Sequence, residues 1–254
     1  MTKLRILAPV LMLGLAPAAA LADDYRFEVK GAFDRDVPTG DFYDINTTAL
    51  YGTWYFQPVS IDGVPLSEAS FLGRSSYLSA VVARFDGFVD TDQNAMAASV
   101  GYYIPGTMFF VGGGASRVES VIGVSSTVVL KRYDTTWVGT LGIAPLDGLL
   151  ISTNFLKGGY DPNVTAKYVG KLPDHHYYSG SVSLVDPDFG DTTFAIDFDY
   201  YFDESSSLGV GYDHAGDRWE LRAEKFFSKT WAAGVSANTA DGSAGFGFNV
   251  TWRH

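Results

Sequence analysis

Apolar and polar residues alternate one by one along almost the whole chain, and this alternation restricts the possible folds more than any other feature. It is clearest between positions 192 and 228, where Phe194, Ile196 and Phe198 share one parity and Asp197 and Asp199 share the other. Successive side chains of a β-strand point to opposite faces, so each run forms a strand with one apolar and one charged face. Such alternation from end to end, with aromatic residues near the turns, is typical of a transmembrane β-barrel.

The alternation divides the chain into fourteen segments. Most of them are close to the ~9–11 residues that a tilted strand needs to cross a bilayer, and single-chain bacterial barrels have an even strand number. We therefore predict an all-β fold, a single-chain antiparallel transmembrane β-barrel of about 14 strands, with 12 or 16 as the alternatives. The segments are residues 25–36, 42–56, 74–88, 95–104, 107–117, 127–144, 149–156, 163–171, 176–185, 192–202, 207–213, 218–227, 231–238 and 244–252.

Proline positions agree with this division. Proline has no N–H to donate to a strand ladder, so a continuous sheet expels it to the connections. Every proline after position 22 falls between the predicted segments and is expected in a connection. These residues are Pro38, Pro58, Pro65, Pro105, Pro145, Pro162, Pro173 and Pro187.

Residues 1–22 have the three parts of a secretory signal peptide. Lys3 and Arg5 are basic, residues 6–15 are apolar, and Ala20-Leu21-Ala22 precedes the expected cleavage point. The remaining residues, 23–254, are predicted to form one outer-membrane β-barrel domain. No other stretch has 18 consecutive apolar residues, so no helical membrane span is expected, and cysteine is absent.

Net charge and export indicate which partners to expect. The formal charge of −11 becomes −13 when Lys3 and Arg5 are removed, which argues against nucleic acid. Export in a cell with an outer membrane predicts location in the outer membrane of a Gram-negative bacterium. The expected partners are outer-membrane lipid, small hydrophilic solutes or ions and, during biogenesis, periplasmic chaperones and the barrel-assembly machinery. The sequence leaves open whether the barrels form homo-oligomers.

Charged residues on the parity opposite the apolar one are predicted to face a water-filled lumen, because a charge facing lipid at mid-depth costs roughly 2–4 kcal/mol. The alternative is that these charges pair across strands and only stabilise the wall. Asp197 and Asp199 are expected to meet the arginines of segment 218–227. The predicted pore-lining residues are Arg26, Glu28, Lys30, Asp44, Arg74, Arg84, Lys167, Lys171, Asp197, Asp199, Arg218, Glu220, Arg222 and Glu224.

Aromatic residues cluster beside the tight turns, and amphipathic rings favour the boundary of the lipid headgroups. The alternative is aromatic packing inside a soluble sandwich. The residues predicted to face lipid in this girdle are Tyr55, Tyr103, Phe109, Tyr200, Phe202, Phe227, Trp231 and Trp252. Residues 57–72 form a connection much longer than the neighbouring turns, and the sequence offers no physical account of it.

Five stretches resemble the general bacterial porin family of Gram-negative outer membranes. They are FLGRSS (71–76), WVGTLGIAPLDGLLIS (137–152), YDPNVTAKYV (160–169), DYYFDESSSLGVGY (199–212) and WELRAEKFFS (219–228). The resemblance covers most of the chain after position 22 and is stronger in its second half. It implies an outer-membrane channel for small hydrophilic solutes and brings no catalytic motif. The terminal Arg253-His254 pair departs from the usual aromatic ending of that family.

No group of residues indicates catalysis, a metal site or a cofactor. His175 and His176 are adjacent and so point to opposite faces of a strand, which is poor geometry for one metal ion. We therefore predict a porin without enzymatic activity, a passive diffusion channel for small hydrophilic solutes or ions. A weak preference for cations is expected from the acidic connections 86–92, 159–162, 186–191, 213–217 and 239–242. The alternatives are a non-conducting barrel that acts as an adhesin or anchor, and a secreted soluble β-sandwich that binds a ligand.

Overall fold

The computed structural model describes residues 24–38, 44–88, 91–125, 128–156, 159–185 and 192–254, so the predicted signal peptide lies outside the described residues. Within these ranges the helical elements are two 3-10 turns, Leu66–Glu68 and Pro173–His175, and one short helix, α1 (Ala69–Leu72). The strands are β1 (Asp24–Pro38), β2 (Ile45–Ser60), β3 (Tyr77–Phe88), β4 (Thr91–Tyr103), β5 (Phe109–Ser125), β6 (Val128–Ile143), β7 (Leu149–Leu156), β8 (Gly159–Lys171), β9 (Tyr177–Val185), β10 (Thr193–Asp203), β11 (Ser206–Asp213), β12 (Arg218–Phe226), β13 (Trp231–Ala240) and β14 (Ser243–Arg253).

Each strand pairs antiparallel with its neighbours in sequence, and β1 also pairs with β14, which closes the sheet into a barrel. At the seam, the carbonyl oxygen of His254 accepts hydrogen bonds from the backbone N–H groups of Arg26 and Phe27, at 2.8 and 2.7 Å. A closed sheet leaves no unpaired edge strand. The prediction of a 14-stranded antiparallel barrel is confirmed, and a sandwich of two sheets is excluded.

Strand boundaries differ from the predicted ones in several places. β5 ends at Ser125 rather than at 117, and β8 begins at Gly159, so residues 159–162 are strand instead of an acidic loop. Contrary to prediction, Pro38 is the last residue of β1, Pro58 lies inside β2 and Pro162 lies inside β8. Pro58 and Pro162 both lie beside a break in the pairing register, where a bulge removes the need for a ladder N–H.

Apolar and charged parities occupy different faces of the barrel. Mid-strand apolar side chains are widely exposed on the outer surface, with exposed fractions of 60% for Leu221, 61% for Val235 and 55% for Val82. The charged parity faces the lumen, where it contacts a segment of chain that lies within the barrel. None of the helices in the described ranges is long and apolar enough to cross a bilayer.

Residues 61–76, which connect β2 to β3, fold into one end of the barrel and are called the inner segment below. Its 3-10 turn and α1 contribute Leu66 and Ala69 to a buried cluster. The other members of this cluster are Tyr25, Tyr55, Val59, Ile61, Phe226 and Ala232. We call this end the terminal end, because Asp24 and His254 lie there, and the opposite end the far end. The packed core of the molecule therefore lies at the terminal end.

Candidate functional site

Glu68 anchors the inner segment to the barrel wall. It is only 6% exposed, and Nζ of Lys167 on β8 donates to its two carboxylate oxygens at 3.0 and 2.7 Å. The hydroxyl of Tyr201 on β10 donates to Oε1 of Glu68 at 2.8 Å. A buried carboxylate is tolerated only when it is paired and hydrogen-bonded. These two wall residues therefore determine where the 3-10 turn lies.

Arg253 on β14 holds the inner segment from the other side. Its side chain is 4% exposed. Nε donates to Oε2 of Glu28 at 2.6 Å, and Nη1 donates to the carbonyl oxygen of Leu66 at 2.7 Å. The guanidinium carbon lies 4.5 Å from the ring centre of Tyr25 and 4.6 Å from that of Phe226. One side chain thus links β1, β12 and β14 to the inner segment by charge, hydrogen bonding and cation–π contact.

These contacts establish which face of the sheet is the lumen. Lys167 on β8 and Arg253 on β14 are six strands apart in the closed ring, yet both contact the inner segment. On β9, the hydroxyl of Tyr177 donates to the carbonyl of Gly63 at 2.5 Å. Only a segment within the barrel can contact such distant strands at once. The long connection 57–72 therefore ends β2 and then enters the lumen.

Arg222 on β12 reaches across β11 to two carboxylates on β10. Its Nη1 donates to Oδ1 of Asp197 at 2.8 Å, and its Nε and Nη2 donate to the two oxygens of Asp199 at 2.9 and 3.0 Å. β11 places Gly209 and Gly211 between them, and a Cβ at Gly211 would lie 2.8 Å from Asp197 Oδ1 and 3.2 Å from Arg222 Nη1. The expected contact between these aspartates and an arginine of β12 is therefore present, and bare backbone on β11 makes room for it.

The lumen-facing residues of β10 to β14 and β1 form what we call the charged wall. Charged side chains on β1, β10 and β12 alternate in this wall with strands rich in glycine and serine. Near the far end, Nη1 of Arg218 lies 3.7 Å from Oδ2 of Asp36. Between the charged wall and the inner segment lies a cavity of about 650 Å³, whose lining includes Glu28, Lys30, Asp34, Ser67, Glu68, Asp199, Glu220, Arg222, Glu224 and Asn249.

The lumen-facing residues of β3, β4 and β5 form the opposite side of the lumen, and we call this side the small-residue wall. Ser79 and Ser99 meet across β3 and β4 with their hydroxyl oxygens 2.8 Å apart. A second cavity, of about 270 Å³, lies against the inner segment and is lined by Thr53, Tyr55, Ser70, Phe71, Ser75, Tyr77, Ser79, Tyr103, Phe110 and Leu150. The members of the small-residue wall at mid-depth are Ser79, Val81, Ala83, Ala95, Ala97, Ser99, Gly101, Gly112, Gly114 and Ser116.

Most of the predicted pore-lining residues lie on the lumen-facing parity. Several of them meet around the 650 Å³ cavity, whereas Lys171 lies at the terminal end with Nζ 5.4 Å from the ring centre of Tyr177. The residues on this parity are Glu28, Lys30, Lys167, Lys171, Asp197, Asp199, Arg218, Glu220, Arg222 and Glu224.

Asp44 and Arg84 were predicted to line the lumen, and the register instead places them on the outward parity near the far end. Asp44 pairs with Arg35, and Nε of Arg84 lies 2.7 Å from Oδ1 of Asp86. All four side chains are more than one-third exposed. Near a strand end an outward charge reaches water, so the cost that forces charges inward at mid-depth no longer applies.

Arg26 and Arg74 also lie outside the lumen wall. The pairing register shifts between Tyr25 and Phe27, where the single residue Arg26 of β1 lies opposite four bulged residues of β2, 55–58, at the terminal end. Arg74 precedes β3, and its Nη2 lies 3.3 Å from Oδ1 of the exposed Asp147. Alternation fails as a guide at both positions, because neither belongs to a regularly paired stretch.

Tyr55 and Tyr103 were predicted to face lipid and instead point into the barrel. Tyr55 is 5% exposed within the buried cluster, and Tyr103 lines the 270 Å³ cavity. Their sequence neighbours Trp54 and Tyr102 are the outward residues, at 45% and 41% exposed. Consecutive aromatics alternate between faces, so the cluster alone does not tell which ring is outside. The remaining predicted girdle residues lie on the outward parity or in the adjoining turn: Phe109, Tyr200, Phe202, Phe227, Trp231 and Trp252.

Sequence reasoning missed several charged residues of the lumen, among them Asp34, Asp36, Glu68 and Arg253. Asp34 and Asp36 continue the parity of Glu28 on β1, so the same alternation could have found them. Glu68 lies in a connection without strand periodicity, and Arg253 was noted only as a departure from an aromatic ending. For these two, no pattern in the sequence indicates a position inside the barrel.

Among the described residues there is no group of three or more His, Asp or Glu side chains arranged to hold a metal ion. No protein-family model and no curated protein matches the chain. Among solved structures, the outer membrane protein Omp33 of Acinetobacter baumannii superposes with a TM-score of 0.70 at 20% identity, over 91% of this chain and 99% of that one. A FadL homologue of Pseudomonas aeruginosa superposes with a TM-score of 0.53 at 11% identity, over 90% of each chain. The likeness is one of fold.

Proposed function

We propose that this protein is an outer-membrane channel for the passive diffusion of small hydrophilic solutes or ions. The observation that carries the proposal is a cavity of about 650 Å³ inside a closed barrel, bordered by acidic and basic side chains. Charges are retained in a protein interior when they are paired or when water reaches them. A fourteen-stranded barrel is wider than side chains alone can fill, so water and small solutes can occupy this space.

A membrane location is supported by the outer surface. Soluble proteins rarely expose contiguous apolar patches larger than a few hundred Å², yet outward residues such as Leu221, Val235 and Val82 are more than half exposed around the barrel. Lipid chains can cover such an apolar surface. A closed barrel pairs its backbone N–H and C=O groups within the sheet, which a lipid environment requires. Omp33, which has a similar fold, is an outer membrane protein, and this agrees with the proposed location. We infer that the chain reaches the outer membrane of a Gram-negative cell by export and barrel assembly.

The inner segment supports a second candidate function, a barrel that does not conduct. Its contacts with Lys167, Tyr177 and Arg253 hold it across the terminal end of the lumen. A solute that crosses the barrel must pass between this segment and one of the two walls. The 270 Å³ cavity on the side of the small-residue wall is one such space. Whether the passage is open decides between the channel and a barrel that serves only as an anchor or adhesin.

Planar-bilayer recording of the refolded protein tests the proposal, together with a variant in which residues 62–75 are replaced by a short Gly-Ser linker. We expect discrete conductance steps for the wild type and steps several-fold larger for the variant, because the linker removes the obstruction. The shift in gel mobility between unheated and heated samples checks that both barrels fold. Steps in the variant alone would indicate a channel closed by the inner segment. Folded barrels without steps in either protein would favour the non-conducting barrel.

A further inference from the structure

Pairing within the charged wall leaves an excess of negative charge in the lumen. The carboxylates on or facing this wall are Glu28, Asp34, Asp36, Glu68, Asp197, Asp199, Asp213, Glu220 and Glu224, and the cations are Lys30, Lys167, Arg218, Arg222 and Arg253. Nine carboxylates thus face five cations. Four of these cations already have carboxylate partners. The sequence alone, which gave eight basic and six acidic lumen residues, predicts no such excess.

Glu220 and Glu224 on β12 carry much of this excess. Neither forms a hydrogen bond or an ion pair with any other described residue, although both line the 650 Å³ cavity. The register explains why. Glu220 lies between Gly211 and Asn238, and Glu224 lies between Ser207 and Gly234, so the flanking strands offer no cation. Arg222, between the two glutamates on the same strand, is occupied by Asp197 and Asp199.

Nearby amide oxygens add neutral acceptors to these carboxylates. Asn238, opposite Glu220, is 7% exposed, and neither atom of its amide has a partner among the described residues. Oδ1 of Asn249, which lines the same cavity, is likewise without one. Two cations, Lys30 and Arg253, interact electrostatically with Glu224. Arg253 is already paired with Glu28, so Lys30 is the principal opposing charge.

We propose that Glu220 and Glu224 determine the ion selectivity of the channel and make it select small cations such as K⁺ or organic ammonium ions. This inference rests on the proposed conduction. It places the charges that determine selectivity within the lumen. Selectivity caused by the acidic connections would instead arise at the opening of the far end. Charge at a wide mouth is screened by salt, and charge on the wall of a narrow lumen is screened much less. Rings of charged side chains that line a pore are a general means of ion selection.

Reversal potentials under a KCl gradient test the assignment, with conductance in symmetrical KCl measured on the same channels. The variants are E220Q, E224Q and the double variant, all of which keep side-chain shape. We expect a cation-selective wild type whose K⁺/Cl⁻ permeability ratio falls about fivefold for each carboxylate removed, because one charge at about 8 Å in water changes the occupancy of K⁺ and that of Cl⁻ by roughly twofold each, in opposite directions. K30Q changes the charge in the opposite sense and should raise the ratio.

The matched control is D217N/D241N, which removes two exposed carboxylates from turns at the far end instead of two in the lumen. We expect it to change the permeability ratio much less than E220Q/E224Q does, and least of all in concentrated KCl. Equal or larger effects of the control, or an unchanged ratio in E220Q/E224Q channels that still conduct, would overturn the assignment. A folded wild type and a folded linker variant that both lack conductance would instead overturn the proposed function on which it rests.

Discussion

The charged wall and the small-residue wall enclose one lumen but are built differently. In the charged wall, long side chains cross from strand to strand, as Arg222 does over β11 to reach β10. In the small-residue wall, contacts between side chains are short and local, as between Ser79 and Ser99. Side chains that reach across strands couple the stability of the barrel to its electrostatics. A wall of alanine, glycine and serine mainly sets the width of the lumen. The two walls should therefore respond differently to substitution.

The largest effect is expected for Arg253→Ala in the charged wall. The change leaves Glu28 without its partner and the carbonyl of Leu66 without its donor. Breaking a buried pair in this way costs about 3–5 kcal/mol, so the free energy of unfolding in denaturant should fall by that amount. Arg26→Ala, at the exposed bulge, is the control and should stay within about 0.5 kcal/mol of the wild type. Equal losses in both variants would contradict a central role for Arg253.

Gly209→Ala should have the next largest effect. A Cβ at Gly209 would lie 2.8 Å from Nε of Arg222 and would meet the carboxylate of Asp199. Such overpacking costs typically about 1–3 kcal/mol, measured as a loss of unfolding free energy. The control is Gly139→Ala on β6, where an added Cβ meets nothing within 4 Å. If Gly209→Ala is as stable as Gly139→Ala, the contact of Arg222 with Asp199 does not require a glycine on β11 between them.

A smaller effect is expected for Ser79→Ala in the small-residue wall. The substitution removes the hydrogen bond between the hydroxyls of Ser79 and Ser99. The net contribution of such a bond is about 0.5–1.5 kcal/mol, and the low end applies here because Ser99 can turn to water in the lumen. Equilibrium unfolding measures the difference. If Ser79→Ala lowers the free energy of unfolding as much as Gly209→Ala does, the two walls do not differ in how strongly side-chain contacts stabilise them.

The smallest effect on stability, within about 0.5 kcal/mol, is expected for Ala97→Phe, because Ala97 is half-buried on the lumen-facing parity among small residues. Its effect should appear in conductance, which falls because the lumen narrows, while the reversal potential stays unchanged because no charge is altered. The neighbouring Ala98→Phe, on the outward parity, is the matched control and should leave both quantities unchanged. A shifted reversal potential in Ala97→Phe would mean that width, and not only charge, sets selectivity.

The alternation of residues was sufficient to predict the barrel, its strand number and the membership of most lumen residues. It succeeds because one period-2 pattern, repeated in every strand, has the same meaning at each mid-strand position. It fails where the period is interrupted, as at Arg26, and near strand ends, where outward charges such as Asp44 and Arg84 reach water. It also fails where neighbouring residues are both aromatic, as at Tyr55 and Tyr103.

The sequence by itself determined that this chain closes into a barrel with an apolar outside and a charged inside, because strand geometry converts parity into face. Only the tertiary structure decided that residues 61–76 enter the lumen, and that Glu68 and Arg253 hold them there. It also decided which lumen charges remain unpaired. Those outcomes depend on contacts between strands far apart in sequence, and side-chain periodicity within one strand contains no information about them.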